Sequence, residues 1–147
     1  KMLRRLGISG LILDIDNTIV PNKAETMDNS TLKWVENLKE EGFSICLVSN
    51  SSSRRVLEFG RKLQVHSIRK ALKPLKCGFV RAAGKMRLGM SEIAVIGDQL
   101  FTDIYGGNRL GLLTILVNPI DRKEGLFVRF KRMLEKLVLA QCRKHAQ

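Results

Sequence analysis

The segment LILDIDNTIV, residues 11–20, drives three apolar residues straight into Asp14 and, after Ile15, into Asp16. Carboxylates are costly to bury unless something pairs with them. The two therefore either mark a strand end for solubility or hold something positive. The segment belongs to the run GLILDID (10–16), which reads as a buried strand. Further apolar runs follow: FSICLVSN (43–50), VHSI (65–68), EIAVIGD (92–98) and LLTILVNP (112–119). Amphipathic stretches separate them. This alternation implies an α/β fold, a doubly wound parallel sheet of about five strands with helices on both faces. The order 3-2-1-4-5 sets the first and fourth strands side by side. Such sheets bind ligands beyond the carboxyl ends of their strands, where the strand order reverses. Asp14 and Asp16 end the first run, Ser49 and Asn50 the second, and Asp98 the fourth.

The helices are marked by caps and periodicity. NSTLKWVENLKEEG (29–42) carries Leu32, Val35 and Leu38 at helical spacing, with Asn29 or Ser30 as cap and Gly42 as stop. SSSRRVLEFGRKLQ (51–64) offers three serine caps. KPLKCGFVRAAGKMRLG (73–89) puts Pro74 in a first helical turn, where its missing N–H costs nothing. TDIYGGNRLG is a short helix weakened by its glycine pair, and residues 122–144 form a longer amphipathic one. No repeat, linker or low-complexity segment divides the chain, so residues 1–147 read as one domain.

The polar residues at these strand ends invite chemistry. Two neighbouring carboxylates repel unless a cation or proton intervenes, and hard oxygen ligands suit Mg²⁺. Asp98 would add another metal oxygen. Asp103 either orients a water or a lysine, or it shares with Thr102 the role of an ordinary helix cap. Ser49 precedes a helix N-terminus, where backbone N–H groups favour an anion. Lys73 heads the next helix, where its ammonium would neutralise a phosphoryl oxygen or pair with the carboxylates.

The chain has 147 residues and a net charge of +12, concentrated in two blocks. Residues 54–87 carry eleven bases against Glu58, and residues 121–147 carry eight bases against three acids. Such blocks favour nucleic acid, an anionic membrane surface or phosphorylated substrates, or they are simply a solvated basic face. No apolar run is long enough for a membrane span, and no leader is visible. The opening KMLRRLG leaves the natural N-terminus open. Cys46, Cys77 and Cys142 lie far apart without a CxxC pair, which suits a reducing compartment.

DIDNT (14–18), SN (49–50), KP (73–74) and GDQLFTD (97–103) resemble, in order, the four motifs of the haloacid dehalogenase (HAD) superfamily of phosphotransferases. RRLGISGLILDIDNTIV, KPLKCGFVRAAGKM, IGDQLFTDIYGGNRLGLLTILVNPI and RFKRMLEK extend the likeness to the YqeG-type branch of subfamily IIIA, over nearly the whole chain. That branch is similar to phosphatidylglycerophosphate phosphatases of the mitochondrial type. The resemblance implies a HAD-like Rossmannoid fold and a Mg²⁺-dependent phosphatase. Asp14 would be the nucleophile, forming an aspartyl-phosphate. Asp16 would be general acid and then general base. Mg²⁺ would be held by Asp14, the backbone carbonyl of Asp16, and Asp98. Ser49, Asn50 and Lys73 would bind phosphoryl oxygens, with Thr18 and Asp103 as support. Arg54 and Arg55 follow motif two closely. They either touch substrate or begin the basic block, and the second is the simpler reading.

Caps of this superfamily are inserted after motif one or between motifs two and three. Here both gaps are used up by expected elements, so the resemblance implies a capless member with an open site. An open site suits a phosphate on something large, such as a lipid headgroup, nucleic acid or protein, unless a neighbouring subunit closes it in a homo-oligomer. Leu126, Phe127, Phe130, Met133, Leu134, Leu137 and Val138 share one face of the last helix, with Arg129, Arg132, Lys136, Arg143 and Lys144 on the other. Such a stripe packs onto the sheet as core or lies on an anionic membrane, and packing is the commoner outcome. The expected function is phosphomonoester hydrolysis at a membrane surface, on phosphatidylglycerophosphate or a similar lipid. The expected location is the cytoplasm or the periphery of an inner membrane surface. The alternatives are the same chemistry on nucleic-acid ends or a soluble metabolite, and a non-catalytic nucleic-acid-binding scaffold. With one Trp and one Tyr, stacking platforms for the last of these are scarce.

Overall fold

The computed structural model describes residues 1–121, 133–136 and 138. Five strands make one parallel sheet: β1 (Gly10–Leu13), β2 (Ser44–Val48), β3 (His66–Ile68), β4 (Ile93–Gly97) and β5 (Leu113–Leu116). Their spatial order is 3-2-1-4-5, and every pairing is parallel. The expected sheet is therefore the observed one, with β1 between β2 and β4. The register sets Leu13 beside Leu47 on one side and Ile96 on the other.

The helices are α1 (Met2–Arg5), α2 (Asn29–Glu40), α3 (Arg55–Leu63), α4 (Lys76–Met86) and α5 (Tyr105–Asn108). The period of two along the strands sorts the core into two layers. Leu11, Leu13, Ile45, Leu47, Ala94 and Ile96 pack with Val35 of α2 and with Val56, Phe59 and Leu63 of α3. Ile12, Cys46, Val48, Ile93 and Val95 pack with Phe79, Ala82, Ala83 and Met86 of α4. The central strands are buried on both faces, which is why they read as unbroken apolar runs.

Several local expectations need correction. The cap of α2 is Asp28, not Asn29 or Ser30: its carboxylate accepts the Thr31 N–H at 2.7 Å. Gly42 does stop that helix, at φ +83°, a conformation glycine adopts at no steric cost. Pro74 is not in a first helical turn. It follows a cis peptide after Lys73, and α4 begins only at Lys76. Three serines do not cap α3 by turns. They form a ladder in which Ser51, Ser53 and Arg55 each donate their N–H to the serine hydroxyl two residues back. The segment after β4 opens as a π-turn, Leu100–Ile104, before α5.

Most of the expected helix over 122–144 lies outside the described residues. Within it, Met133, Leu134 and Val138 stand exposed, so at these positions the stripe does not pack as core. Glu135 is the buried member, and its carboxylate accepts the Phe101 N–H at 3.4 Å. No described helix is long and apolar enough to cross a membrane.

Candidate active site

β1 ends at Leu13, but the Asp14 N–H still donates to the Ile96 carbonyl at 2.9 Å. This one extra rung fixes Asp14 at the carboxyl edge of the sheet, next to β4. Asp98 follows Gly97, the last residue of β4. Asp103 comes back to the same edge from the π-turn. Its approach requires glycine at 97, because a Cβ there would collide with the Asp103 side chain. Asp14, Asp98 and Asp103 each offer a carboxylate oxygen within 4.8 Å of the others, and all are buried.

Lys73 binds this group together. Its side chain is 3% exposed, and its ammonium donates three bonds: to Asp14 Oδ1 at 2.5 Å, Asp103 Oδ1 at 2.6 Å and the Val48 carbonyl at 2.9 Å. Those are all the donors an ammonium has. Thr18 Oγ1 lies 3.0 Å from Asp14 Oδ2 and 3.3 Å from Asp98 Oδ1, so its one proton bridges the two carboxylates. The turn that aims Thr18 has Asn17 at φ +64°, with its N–H donating to the Val20 carbonyl.

The electrostatics follow from this crowding. Burial, reinforced by Asp103 and Asp98, pushes Asp14 up to about 7 against the opposing pull of Lys73. Burial alone would lower Lys73, but its bonds to Asp14 and Asp103 outweigh that and hold it above its ordinary value. The lysine is therefore an ammonium, and Asp14 ionises against its neighbours' charge. A group of hard oxygen donors with this mutual repulsion fits a small divalent cation.

The other expected site residues divide. Ser49 is buried beside this edge, and its hydroxyl accepts the Ser51 N–H at 3.1 Å while keeping its own proton to donate. Asn50 spends its side chain on Lys73: Nδ2 donates to the Lys73 carbonyl at 2.9 Å, and Oδ1 accepts the Lys73 N–H at 2.7 Å. It fixes the lysine's backbone. The Asp16 carboxylate is not in the acidic cluster. It pairs with Arg55, whose Nη2 lies 2.6 Å from Oδ1. Asp103 is not the N-cap of the turn it belongs to, although it also accepts the Gln99 N–H at 3.3 Å.

Arg55, expected either to touch substrate or, more simply, to begin the basic block, instead pairs with Asp16. It is 5% exposed and touches Asp16, not solvent. Its place five residues after Asn50 was a signal, masked by the run of bases around it.

A family model described as mitochondrial PGP phosphatase matches residues 1–121. The chain belongs to the mitochondrial PGP phosphatase family. The chain is similar to the probable phosphatase YqeG of Bacillus subtilis (strain 168), 39% identical over 144 residues, covering 98% of this chain and 84% of that protein. The chloroplastic/mitochondrial phosphatidylglycerophosphate phosphatase 1 of Arabidopsis thaliana is 31% identical over 154 residues, covering 95% of this chain but 43% of that protein. Among solved structures, an uncharacterized protein of Listeria monocytogenes serotype 4b superposes with a TM-score of 0.62 at 18% identity, covering 81% of this chain and 86% of that one. The 3-deoxy-D-manno-octulosonate 8-phosphate phosphatase of Moraxella catarrhalis, solved with magnesium, phosphate and KDO, gives 0.54 at 20% identity, covering 67% and 63%. These last two likenesses show the fold. This PGP phosphatase family member is thus a phosphatase.

Proposed function

We propose that the protein is a Mg²⁺-dependent phosphomonoesterase that works through an aspartyl-phosphate on Asp14. We further propose that its substrate is a phosphate carried by an anionic lipid, phosphatidylglycerophosphate or a close analogue. The observation that carries the chemistry is the buried set Asp14, Asp98 and Asp103 gathered round Lys73. Asp14 and Asp98, with the Asp16 carbonyl, would hold Mg²⁺, which when bound screens phosphate charge from the attacking carboxylate. Ser49 orients one phosphoryl oxygen, and Lys73 orients another by exchanging its bond to Asp14 Oδ1 for it as Asp14 turns to phosphorus. The Asp14 carboxylate attacks phosphorus as the bond to the leaving oxygen breaks, and Asp16 supplies that oxygen's proton. Asp16 then takes a proton from the water that attacks phosphorus, releasing phosphate and Asp14.

Three features support the lipid. Between β1 and β2, and between β2 and the Lys73 loop, the described chain forms single helices and no cap. Leu72 and Leu75, on either side of Lys73 and Pro74, are 58% and 53% exposed, with the exposed Lys70 and Lys76 next to them. Leu72 sits at φ +58°, a conformation that costs a bulky residue about 1 kcal/mol or more. Leucines presented to solvent among lysines suit an anionic lipid surface. A cleft of about 320 Å³ beside Thr18, lined mostly by Ile19, Trp34, Ile96, Val117 and Ile120, offers apolar wall to the rest of the molecule.

A Mg²⁺-dependent phosphate-release panel tests the proposal, using lipid, nucleic-acid and small phosphomonoesters. The lipid substrate in vesicles should be fastest. Release from none of them would end the enzymatic reading, and a nucleic-acid end turned over fastest would end the lipid one. Leu72→Ser with Leu75→Ser should weaken sedimentation with phosphatidylglycerol vesicles by about ten- to hundredfold, because about half of each leucine is exposed and full burial of one is worth about 1.5–3 kcal/mol. Turnover of a small soluble ester should not change. Equal sedimentation of wild type and double variant would remove these leucines from the docking surface.

Mg²⁺ should also stabilise the fold, and by more at pH 8 than at pH 5. Asp14 is raised from 3.8 to about 7, so its folded-state contribution is fully present below the unfolded pKa and is lost as pH rises through about 7. A cation restores most where most has been lost. Thermal melts with and without Mg²⁺ measure this. A larger shift at pH 5 would contradict the assignment of the cation to Asp14.

A further inference from the structure

We infer that Arg55 is a positioning residue for Asp16, and that it selects Asp16 Oδ2 as the oxygen that exchanges a proton with substrate. The inference rests on the proposed acid–base role of Asp16. Arg55 is the first residue of α3, and its backbone is tied down by the Ser53 hydroxyl at 3.2 Å. Its guanidinium then works in two directions. Nη2 donates to Asp16 Oδ1 at 2.6 Å and Oδ2 at 2.8 Å, and Nη1 donates to the Ala24 carbonyl at 2.6 Å. The Lys23 N–H donates to Asp16 Oδ1 at 2.8 Å. Asp16 is thus held from α3 and from the loop that follows it, and one guanidinium fastens both.

The two oxygens of Asp16 are not equivalent. Oδ1 accepts a short bond from Arg55 and another from Lys23, which uses both of its lone-pair directions. Among the described residues Oδ2 accepts only the longer arm of Arg55, which leaves it one direction more than Oδ1 has. A carboxylate at the end of a turn would otherwise sample several rotamers, whereas proton transfer needs hydrogen-bond reach, about 2.6–3.2 Å. The planar fork of arginine sets both the direction and the choice of oxygen, and a lysine ammonium has no such fork. Arg55 itself is not placed as a substrate ligand, because both its terminal nitrogens are engaged inside the protein.

The test compares two leaving groups in the presence of Mg²⁺. One is p-nitrophenyl phosphate, whose leaving group needs no proton. The other is the fastest alkyl phosphate of the release panel, whose leaving group does. Pre-steady-state release of the alcohol or phenol isolates the first step. Arg55→Met should slow alkyl release by about ten- to hundredfold with KM unchanged, and p-nitrophenol release by less than about threefold, in keeping with the worth of general acid catalysis. Arg55→Lys should recover part of the loss, since one ammonium can keep Asp16 but not also Ala24. Equal slowing of both substrates, or a raised KM at unchanged rate, would overturn the inference. Asp16→Asn should show the same split in larger measure. No split in that variant would refute the acid–base reading of Asp16, and the role of Arg55 with it. If Arg55→Met does not fold, Arg55→Lys carries the test: an intermediate split supports the inference, and none overturns it.

Discussion

Asp14→Asn should abolish phosphate release, by about a thousandfold or more, while making the Mg²⁺-free protein more stable at pH 8. The first effect follows from the proposed chemistry. An amide of the same shape is no nucleophile toward phosphorus, and a thousandfold is only about 4 kcal/mol of barrier. The second follows from the site's electrostatics. Burial, Asp103 and Asp98 together make the ionised Asp14 unwelcome despite Lys73. Asparagine removes that charge and keeps an oxygen to accept from Lys73. A site that trades stability for reactivity should gain one when it loses the other. Activity assays and thermal melts on the same preparation measure both. An active variant would refute the nucleophile, and a less stable one would refute the account of the charge.

Lys73→Met should have the largest effect on stability. The substitution fills the volume of the side chain but leaves Asp14 and Asp103 facing each other with no cation between them. Removing one partner of a buried ion pair typically costs about 3–5 kcal/mol, much of it the penalty on the charge left behind. In a chain of this length each kcal/mol is worth about 2–4 °C, so the melting temperature at pH 8 should fall by about 10 °C. The loss should shrink at pH 5, where the stranded carboxylates can take up protons. Phosphate release should be lost as well, since Lys73 is the proposed phosphoryl ligand. A variant that melts like wild type at pH 8 would show that the ammonium contributes nothing to the buried cluster.

The sheet was legible because each central strand is buried on both faces and must be apolar throughout. Its end is then visible wherever acid, serine or asparagine interrupts, as at Asp14, Ser49 and Asp98. Lys73 stood out only by its order among the other strand ends. What the chain does with side chains far apart in sequence was not legible. Asp103 reads equally well as a helix cap, because nothing near it announces a lysine arriving from 30 residues away. Asn50 reads as a phosphate ligand, yet its amide is spent on the Lys73 backbone. Arg55 looks like one more solvated base in a basic block, because burial of an arginine depends on a partner that only the folded sheet edge supplies. Pro74 looks like a helix opener, since sequence does not reveal that the loop must first carry Lys73 inward under Asp14.

The most direct test of the central claim is an acid quench of the protein during turnover of a phosphomonoester with Mg²⁺, followed by mass analysis of its peptides. The account predicts a phosphoryl adduct on the peptide that carries Asp14, absent from Asp14→Asn. Turnover with no phosphorylated peptide at any quench time, or with the adduct on Ser49 instead, would contradict it.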